Sequence, residues 1–276
     1  MQTHELECDV LVAGGGTAGA NTALAAREKG ASTVVMDINP DLGGTQTLGM
    51  VASFYHGYKG GYTDLQEQRL KDFSRHMQPH GKFVRRTSKT LFYDLEATRA
   101  GVRCLFNCAI CGGVVQDGKV QGMIGADSSG LFRVMAHVTV DATGDGDAAV
   151  FCGAESTFGC PRTGNVQDYS QWSKGKGRYG TVSTHLDLDV IDQRFLSENL
   201  RGLRIAHLKG FDYDFAPMLT VREGRHITGE CTLSMVDVIE GRTFDDGIAE
   251  AQTDWDPHGI SSSWLGRLGF LPVHCD

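Results

Sequence analysis

Three glycines with the spacing G-x-G-x-x-G follow a short apolar segment near the N-terminus. Val10–Ala13 is typical of a buried strand, and Asp37 ends a second apolar segment; the glycines between them are Gly14, Gly16 and Gly19. The first glycine permits a tight turn, the second lets a pyrophosphate approach the backbone, and the third lets a helix pack closely on a sheet. The free N–H groups at the start of such a helix attract phosphates. The pattern predicts a dinucleotide site, with Asp37 accepting hydrogen bonds from a ribose.

Two arginines and an acid–histidine pair in the C-terminal part of the chain have side chains suited to substrate binding and proton transfer. Arg222 and Arg225 carry guanidinium forks that match carboxylates, and structural ion pairs are the alternative explanation. Asp256 can fix the tautomer of His258 for acid–base chemistry, or the two residues can belong to a turn set by Pro257. Both interpretations stay open for each pair.

A second glycine-rich segment, Leu42–Gly49, follows shortly after the first. Its paired glycines, Gly43 and Gly44, stand beside hydroxyl residues, so backbone N–H groups there can face a ligand, with ordinary turn formation as the alternative. His56 follows this segment among aromatic residues. It can face a bound ring system, or it can belong to an aromatic packing patch.

Composition and charge exclude several function classes. The chain has 276 residues and a formal net charge of −8, and its basic residues form no run longer than Arg85-Arg86. Nucleic acid is therefore not an expected partner. The first residues are polar and acidic, unlike a signal peptide, and no apolar run approaches the roughly 20 residues of a membrane helix. We expect a cytoplasmic protein without a membrane partner.

Two of the eight cysteines, Cys108 and Cys111, have the spacing C-x-x-C. They lie in a segment that is predicted to be a strand, in which side chains three residues apart point to opposite faces. This arrangement favours neither a redox pair nor half of a zinc site. The cysteines are expected to be reduced, small, buried residues, and no metal is expected.

The elements that must position these residues follow from hydrophobic periodicity, which predicts an α/β fold. A β-α-β unit covers residues 8–38, with its helix from about Thr17 to Lys29 and Gly30 as the cap. Helices are expected over 64–76 and 87–100, and strands over 102–108, 112–116, 120–126 and 131–140. Asp117-Gly118 predicts a tight hairpin turn within this β-meander.

The periodicity of apolar residues becomes weaker after Phe151. Residues 159–180 are rich in Gly, Ser, Lys and Arg without a clear period, which predicts a long loop of the kind that often carries function. The remaining expectations are a helix over 187–204, a strand over 211–219, and short helical turns over 234–241 and 244–252.

Three motifs in this order resemble those of the FAD-dependent oxidoreductases of the glutathione-reductase-like superfamily. In chain order they are Gly14–Gly19 with Asp37, Leu42–Gly49, and Asp141–Asp147. The chain is also similar to a narrower FAD-dependent oxidoreductase group in its Arg222–Gly229 stretch and its Asp256–His258 pair. The resemblance covers about residues 8–258, and its specificity comes from the three motifs together.

The resemblance implies a Rossmann-like FAD-binding domain with a β-meander over residues 1–153, with a helical insertion at about 50–100, and a smaller α+β substrate domain over 154–276. It implies FAD as the cofactor and hydride transfer between the flavin and a small organic substrate. The residues that it implies for FAD binding are Gly14, Gly16, Thr17, Ala18, Gly19, Asp37, Gly43, Gly44, Thr45, Ala109, Ile110, Ala142, Thr143 and Gly144. The candidates for catalysis, which rest on the chemistry of their side chains, are Arg222, Arg225, His258 and His56.

The chain departs from the family's pattern near its end. Family members return to the nucleotide domain with a strand, a Gly-Asp or Gly-Arg loop and a helix aimed at the flavin pyrimidine, and residues 271–276 offer no such segment. We therefore expect a second chain, or a longer form of this one, to supply it. The competing hypotheses are a non-catalytic dinucleotide-binding subunit or scaffold, and an NAD-dependent dehydrogenase. The second and third motifs argue against the dehydrogenase.

Overall fold

A computed structural model describes most of the chain. The described residues are 2–49, 51, 60–76, 85–160, 166, 168–177, 180–206, 208, 223–233, 235–245, 247, 249–253 and 271–275. The chain divides into two compact units. One consists of Met1–Phe54 with Lys59–Ser156, and the other of Tyr55–Tyr58 with Thr157–Asp276.

A six-stranded sheet organises the first unit. Its strands are β1 (Gln2–Ala13), β2 (Thr33–Met36), β3 (Arg103–Leu105), β4 (Ala109–Gln116), β5 (Lys119–Asp127) and β6 (Gly130–Asp141). They lie in the order β3-β2-β1-β6-β5-β4. Strand β1 runs parallel to β2 and β6, and β2 runs parallel to β3, whereas β4, β5 and β6 form an antiparallel meander. The prediction of a Rossmann-like α/β fold with a β-meander is confirmed.

In the described part of this unit, four helices accompany the sheet: α1 (Thr17–Glu28), α2 (Gly61–His76), α3 (Arg85–Ala100) and α4 (Asp147–Phe151). The predicted cap of α1 is confirmed, because Gly30 has φ +89° and its N–H donates to the Arg27 carbonyl oxygen, while the Ala31 N–H reaches back to Ala26. This pair of bonds is the Schellman arrangement, which favours glycine at the left-handed position. None of the helices among the described residues has the length and apolar character needed to cross a membrane.

Two hydrophobic clusters cover the two faces of the parallel strands. Leu11 and Ala13 of β1 belong to a cluster with residues of the meander, whereas Val12 belongs to a cluster with residues of α1, α2 and α3. In strand β2, Val34 and Met36 belong to the first cluster and Val35 belongs to the second, and all four residues of the strand are buried. A strand that is covered on both faces favours apolar side chains at successive positions, which explains the hydrophobic run of Val34, Val35 and Met36.

The predicted strand over residues 102–108 is wrong in its extent. Strand β3 ends at Leu105, and Asn107 adopts φ +52°, which breaks the extended backbone. The chain then passes Asp37, whose carbonyl oxygen accepts a hydrogen bond from the Cys108 N–H, before β4 begins. The hairpin turn after β4 is confirmed, since Asp117 and Gly118 have φ +51° and +72°. Two consecutive positive φ angles define the turn type that matches strand twist.

The two cysteines of the C-x-x-C motif have different environments. Cys108 is fully buried in the sheet core, whereas Cys111 on β4 is exposed, so the expectation that both are buried is wrong for Cys111. Burial raises the pKa of the Cys108 thiol from its ordinary 9.0 to about 11. The neutral thiol is the form that the folded state favours.

At pH 8, iodoacetamide is expected to modify Cys111 in the folded protein and to leave Cys108 intact, because the thiolate is the reactive form. Since folding raises the Cys108 pKa, its contribution to stability is present below pH 9 and is lost as the pH rises toward 11. Peptide mass spectrometry, with and without urea, measures how far iodoacetamide has modified each of the two cysteines. Equal modification of both thiols in the folded protein would contradict the burial of Cys108.

The second unit contains three two-stranded sheets and two helices among its described residues. The sheets pair β7 (Ser156–Phe158) with β10 (Arg225–Ile227), β8 (Asp168–Gly177) with β9 (Gly180–Val190), and β11 (Ala249–Thr253) with β12 (Leu271–Cys275). The helices are α5 (Leu196–Ala206) and α6 (Met235–Glu240). The predicted helical turn over 234–241 is confirmed, and the predicted strand over 211–219 lies outside the described residues.

Three predictions for this unit are wrong. Residues 159–180 are not one long loop, because β8 and β9 pair along their lengths from Asp168↔Val190 to Gly177↔Gly180. The helix that was expected over 187–204 begins only at Leu196, since β9 continues to Val190. Residues 249–253 pair with a distant strand rather than forming a helical turn. Backbone pairing stabilises these strands, and polar sequences such as that of β8 carry no alternating apolar signal.

Candidate dinucleotide-binding site

The carboxyl ends of three neighbouring parallel strands meet in register. Ala13 at the end of β1 lies beside Met36 of β2 and Asp141 of β6. Each strand is followed directly by one of the residues or motifs that the sequence singled out: Gly14, Asp37 and Ala142. Ligands of open α/β sheets bind at the carboxyl ends of the strands, where the connections diverge to either side.

Two of the fingerprint glycines are required by packing within the chain. Gly14 has φ +96°, and a Cβ there would lie 2.5 Å from the Ala142 carbonyl oxygen. At Gly19 a Cβ would collide with the carbonyl oxygen of Gly14 and would lie 3.2 Å from Val12 Cγ1. The absence of both side chains lets α1 start directly over the end of β1.

Gly16 differs from these two glycines. It caps the N-terminus of α1 with φ −63°, and the nearest protein atom to a Cβ there would be the Ala142 carbonyl oxygen, 3.9 Å away. Internal packing therefore leaves room for a side chain at this position. The N–H groups of the first helical turn have no acceptor within the helix, so the space in front of Gly16 is suited to an anion.

A cleft of about 660 Å³ lies in front of this helix terminus. It is lined by 12 of the residues that were expected to bind the cofactor: Gly14, Gly16, Thr17, Ala18, Asp37, Gly44, Thr45, Ala109, Ile110, Ala142, Thr143 and Gly144. Gly19 lies under the loop, as its contact with Gly14 shows, and Gly43 packs against Thr47 rather than lining the cleft. The three motifs therefore converge on one cavity of the size usual for cofactor sites.

The Asp37 carboxylate holds the fingerprint loop. Its side chain is almost fully buried; Oδ2 accepts a short hydrogen bond from the Gly15 N–H, and Oδ1 accepts one from the Asn39 N–H (2.6 Å). Each carboxylate oxygen has a second lone pair, so acceptance from a ribose hydroxyl remains chemically possible. The side chain thus serves the loop's geometry in addition to the ribose role that the sequence predicts.

The second glycine-rich segment is hydrogen-bonded to the first. The Gly43 N–H donates to the Gly15 carbonyl oxygen (2.9 Å), and Thr17 Oγ1 donates to the Gly43 carbonyl oxygen (3.1 Å). Gly44 has φ +47°, and a Cβ there would lie 2.8 Å from Gly16 Cα. The glycine at this position lets the 3-10 turn Gly44–Gln46 approach the start of α1 closely.

The third motif is ordered by Asp141. Its Oδ1 accepts hydrogen bonds from the Thr143 N–H (3.0 Å) and Thr143 Oγ1 (2.7 Å), and its Oδ2 accepts one from the Ala149 N–H (2.9 Å). Thr143 Oγ1 in turn accepts a hydrogen bond from the Asp147 N–H at the start of α4 (2.9 Å). These bonds hold the turn from Ala142 to Gly144 at the cleft.

Replacing Asp141 with alanine is expected to destabilise the protein by about 1–2 kcal/mol, because three donors in the turn and in α4 lose their acceptor. Urea denaturation of the apoprotein measures the change in the free energy of unfolding. Glu155, an exposed acid soon after α4, provides the control substitution Glu155→Ala, which should change stability by less than about 0.5 kcal/mol. Equal effects of the two substitutions would contradict the role of Asp141.

Several cleft residues were not predicted individually. They are Met36, Ile38, Asn39, Leu48, Gly49, Asp141 and Asp147. Ile38 is the most informative, because its side chain is 68% exposed although it is large and apolar. An exposed apolar side chain beside a nucleotide cleft offers a surface for a flat base. All of these residues lie within or next to the predicted motifs, which is the signal that could have identified them.

Of the four residues that were expected to act in catalysis, His56, Arg222 and His258 lie outside the described residues. Arg225 begins β10 and is half-buried.

The structure shows a further interaction next to Arg225 that sequence reasoning missed. The almost fully buried carboxylate of Glu223 contacts His226 Nε2 (2.9 Å) and accepts a hydrogen bond from the Gly159 N–H (3.2 Å). Glu223 lies within the Arg222–Gly229 stretch, and its place in that motif could have identified it from the sequence.

No group of three or more His, Cys, Asp or Glu side chains in the described part of the chain is arranged to hold a metal ion. The open space at Gly16, the free helix terminus and the convergent motifs fit a dinucleotide.

The fold and the cleft define a dinucleotide-binding protein of the Rossmann type. The family model for FAD dependent oxidoreductases matches residues 9–178 and 181–272, and the chain belongs to this family. FAD, the cofactor after which this family is named, is the dinucleotide that the cleft fits. A comparison with curated proteins finds no match.

The chain is similar to several solved structures, among them the following three. A geranylgeranyl bacteriochlorophyll reductase-like protein from Thermoplasma acidophilum is 16% identical, with 80% of this chain and 66% of that one covered and a TM-score of 0.48. A flavoprotein/dehydrogenase from Cytophaga hutchinsonii is 14% identical, with 80% and 66% covered and a TM-score of 0.47. A 3-ketosteroid-Δ4-(5α)-dehydrogenase from Rhodococcus jostii is 17% identical, with 49% and 45% covered and a TM-score of 0.36. The chain spans two thirds or less of each of these proteins.

Proposed function

We propose that the protein transfers a hydride between a small organic substrate and FAD. The observation that carries this proposal is the open space in front of Gly16 and the first turn of α1, in a cleft that three separate motifs build. A binding site for the adenosine diphosphate half of FAD explains why glycine stands at a position that internal packing leaves free. Family membership supports the oxidoreductase class, and the hydride step is our proposal.

The residues of the first unit bind and orient the cofactor in this proposal. The N–H groups of Thr17 and Ala18 donate to the pyrophosphate, and Asp37 accepts from the adenosine ribose. Ile38 would cover one side of the adenine, and the backbone of Ala109 and Ile110, which also line the cleft, would hold its edge. Bound FAD supplies the flavin ring that accepts or donates the hydride.

The residues that the sequence analysis selected for catalysis complete the proposal. Arg222 and Arg225 hold an anionic group of the substrate, because guanidinium groups bind carboxylates in two parallel hydrogen bonds. His258 or His56 moves the proton that accompanies hydride transfer. Substitution of each histidine by glutamine, with the rate of flavin reduction measured across pH, distinguishes the two.

Flavin content and cofactor selectivity test the cofactor half of the proposal. The natural protein should be yellow and should release FAD on denaturation. FAD should raise the melting temperature of the apoprotein and NADH should not, because only a ligand of the native state stabilises it. A colourless protein whose melting temperature FAD does not change, even with its natural partners present, would overturn the proposal.

Reduction of the bound flavin tests the catalytic half. Bound FAD that no donor reduces would instead support the non-catalytic dinucleotide-binding subunit. A second chain that supplies a flavin-facing segment remains a prediction from the sequence. Intact mass and co-purification of the natural protein test for it.

A further inference from the structure

A small cavity lies among α1, α2, α3 and the turn Gly44–Gln46 in the first unit. Its volume is about 10 Å³, close to the smallest space that holds one water molecule. The lining is mostly polar and includes Asn21, Gln46, Gln66, Glu67 and Lys89. This cavity is distinct from the dinucleotide cleft. Gln46 nevertheless follows directly in the chain after two residues that line that cleft.

Three amide side chains of this lining have buried atoms without a hydrogen-bond partner among the described residues. The atoms are Asn21 Oδ1, Gln46 Oε1, and both Oε1 and Nε2 of Gln66. Gln46 and Gln66 are each only 4% exposed, so bulk water does not satisfy them. Buried polar groups in native proteins are nearly always hydrogen-bonded to the protein or to an ordered water.

The hydrogen bonds that Asn21 makes to protein groups leave its Oδ1 without a donor. Its Nδ2 donates to the Thr17 carbonyl oxygen (2.8 Å) and to the Tyr93 hydroxyl (3.3 Å), which fixes the amide and leaves Oδ1 unpaired. Rotating the amide would turn Oδ1 toward the Thr17 carbonyl oxygen, which is also an acceptor, so that contact fixes which amide atom is which. Asn21 Oδ1 is therefore an acceptor that still needs a donor.

We propose that this cavity binds one water molecule that bridges Asn21, Gln46 and Gln66. A water molecule donates two hydrogen bonds, here to Asn21 Oδ1 and Gln46 Oε1, and accepts one from Gln66 Nε2, so that it satisfies three of the four unpaired atoms. A metal ion does not suit the site, because Lys89 Nζ lies 2.8 Å from Glu67 Oε1 and already provides the positive charge for that carboxylate.

The bridging water connects the helical layer to the cofactor loop. Gln46 ends the 3-10 turn whose other residues, Gly44 and Thr45, line the dinucleotide cleft. Gln66 lies on α2, and Asn21 lies on α1 one turn beyond the cleft residue Thr17. The water thus restrains the loop in the position that holds the pyrophosphate. Only this consequence for the cofactor rests on the function proposed above.

Two glutamines of the same helix provide the variant and its control. Gln66→Met removes the amide from the cavity with little change in volume, whereas Gln68→Met alters a glutamine on the exposed side of α2. Gln46→Met removes the second amide if Gln66→Met does not fold. The full chain is crystallised without FAD at high resolution, and FAD release from the loaded protein is followed by flavin fluorescence.

We expect one water within hydrogen-bond distance of the three amides in the unsubstituted protein and in Gln68→Met, and none bridging them in Gln66→Met. FAD should leave Gln66→Met about tenfold faster and Gln68→Met at the original rate. Amides that pair directly with one another and leave no water overturn the water site, and the crystal structures decide this whether or not FAD binds. An ordered water combined with unchanged FAD release in Gln66→Met overturns the link to the cofactor.

Discussion

Replacing Gly16 with alanine is expected to weaken FAD binding by about 10- to 100-fold while the apoprotein stays folded. The methyl group enters open space, with the nearest protein atom 3.9 Å away, and φ at this residue is −63°, which any residue adopts. In the proposed complex it would take space that a phosphate oxygen needs, so the charge-assisted hydrogen bonds from the first turn of α1 would lengthen. Titration of the apoprotein with FAD, followed by flavin fluorescence, measures the affinity.

The control for this substitution is Gly112→Ala on β4, where a Cβ makes an ordinary contact 3.6 Å from Ile124 Cβ. Gly112→Ala should bind FAD with the original affinity. The free energy of unfolding of apo Gly16→Ala should change by less than about 1 kcal/mol, the usual difference between glycine and alanine at a helix N-cap. Unchanged FAD affinity in Gly16→Ala would show that no phosphate lies against this helix.

Replacing Gly19 with alanine is expected to have the opposite effect, a loss of stability that does not depend on the cofactor. Alanine improves helix propensity by about 1 kcal/mol over glycine. The new Cβ, however, collides with the carbonyl oxygen of Gly14, a backbone atom in a loop that Met36 and Asp37 hold by hydrogen bonds. Overpacking costs about 3 kcal/mol in such a rigid site. The net effect is a destabilisation of about 2 kcal/mol.

Thermal unfolding of the apoprotein measures this difference. A loss of about 2 kcal/mol lowers the melting temperature by roughly 4–8 °C in a protein of this size. Gly16→Ala serves as the matched control, since it makes the same chemical change three residues earlier. A Gly19→Ala apoprotein as stable as the unsubstituted one would show that α1 does not approach the Gly14 loop closely.

The first half of the chain could be interpreted well from its sequence because its signals are local. The turn at Asp117-Gly118, the cap at Gly30 and the alternation of apolar residues along β1 and β2 depend on conformational preferences of a few adjacent residues. The second half could not be interpreted in this way. Strands β8 and β9 are polar, and β11 pairs with a strand that begins 18 residues after it ends, so neither pairing has a local signature.

The sequence by itself indicated a dinucleotide site and the segments that meet at it, because glycine spacing and the acid after β2 suit the geometry of a bound dinucleotide. The resemblance of three motifs to a known family then indicated FAD. Only the tertiary structure decided what each of these residues does. It separates Gly16, which faces the cleft, from Gly14 and Gly19, which internal packing requires, and it shows the Asp37 carboxylate bound to the fingerprint loop. These distinctions depend on distances between atoms that are far apart in the chain, and packing alone sets such distances.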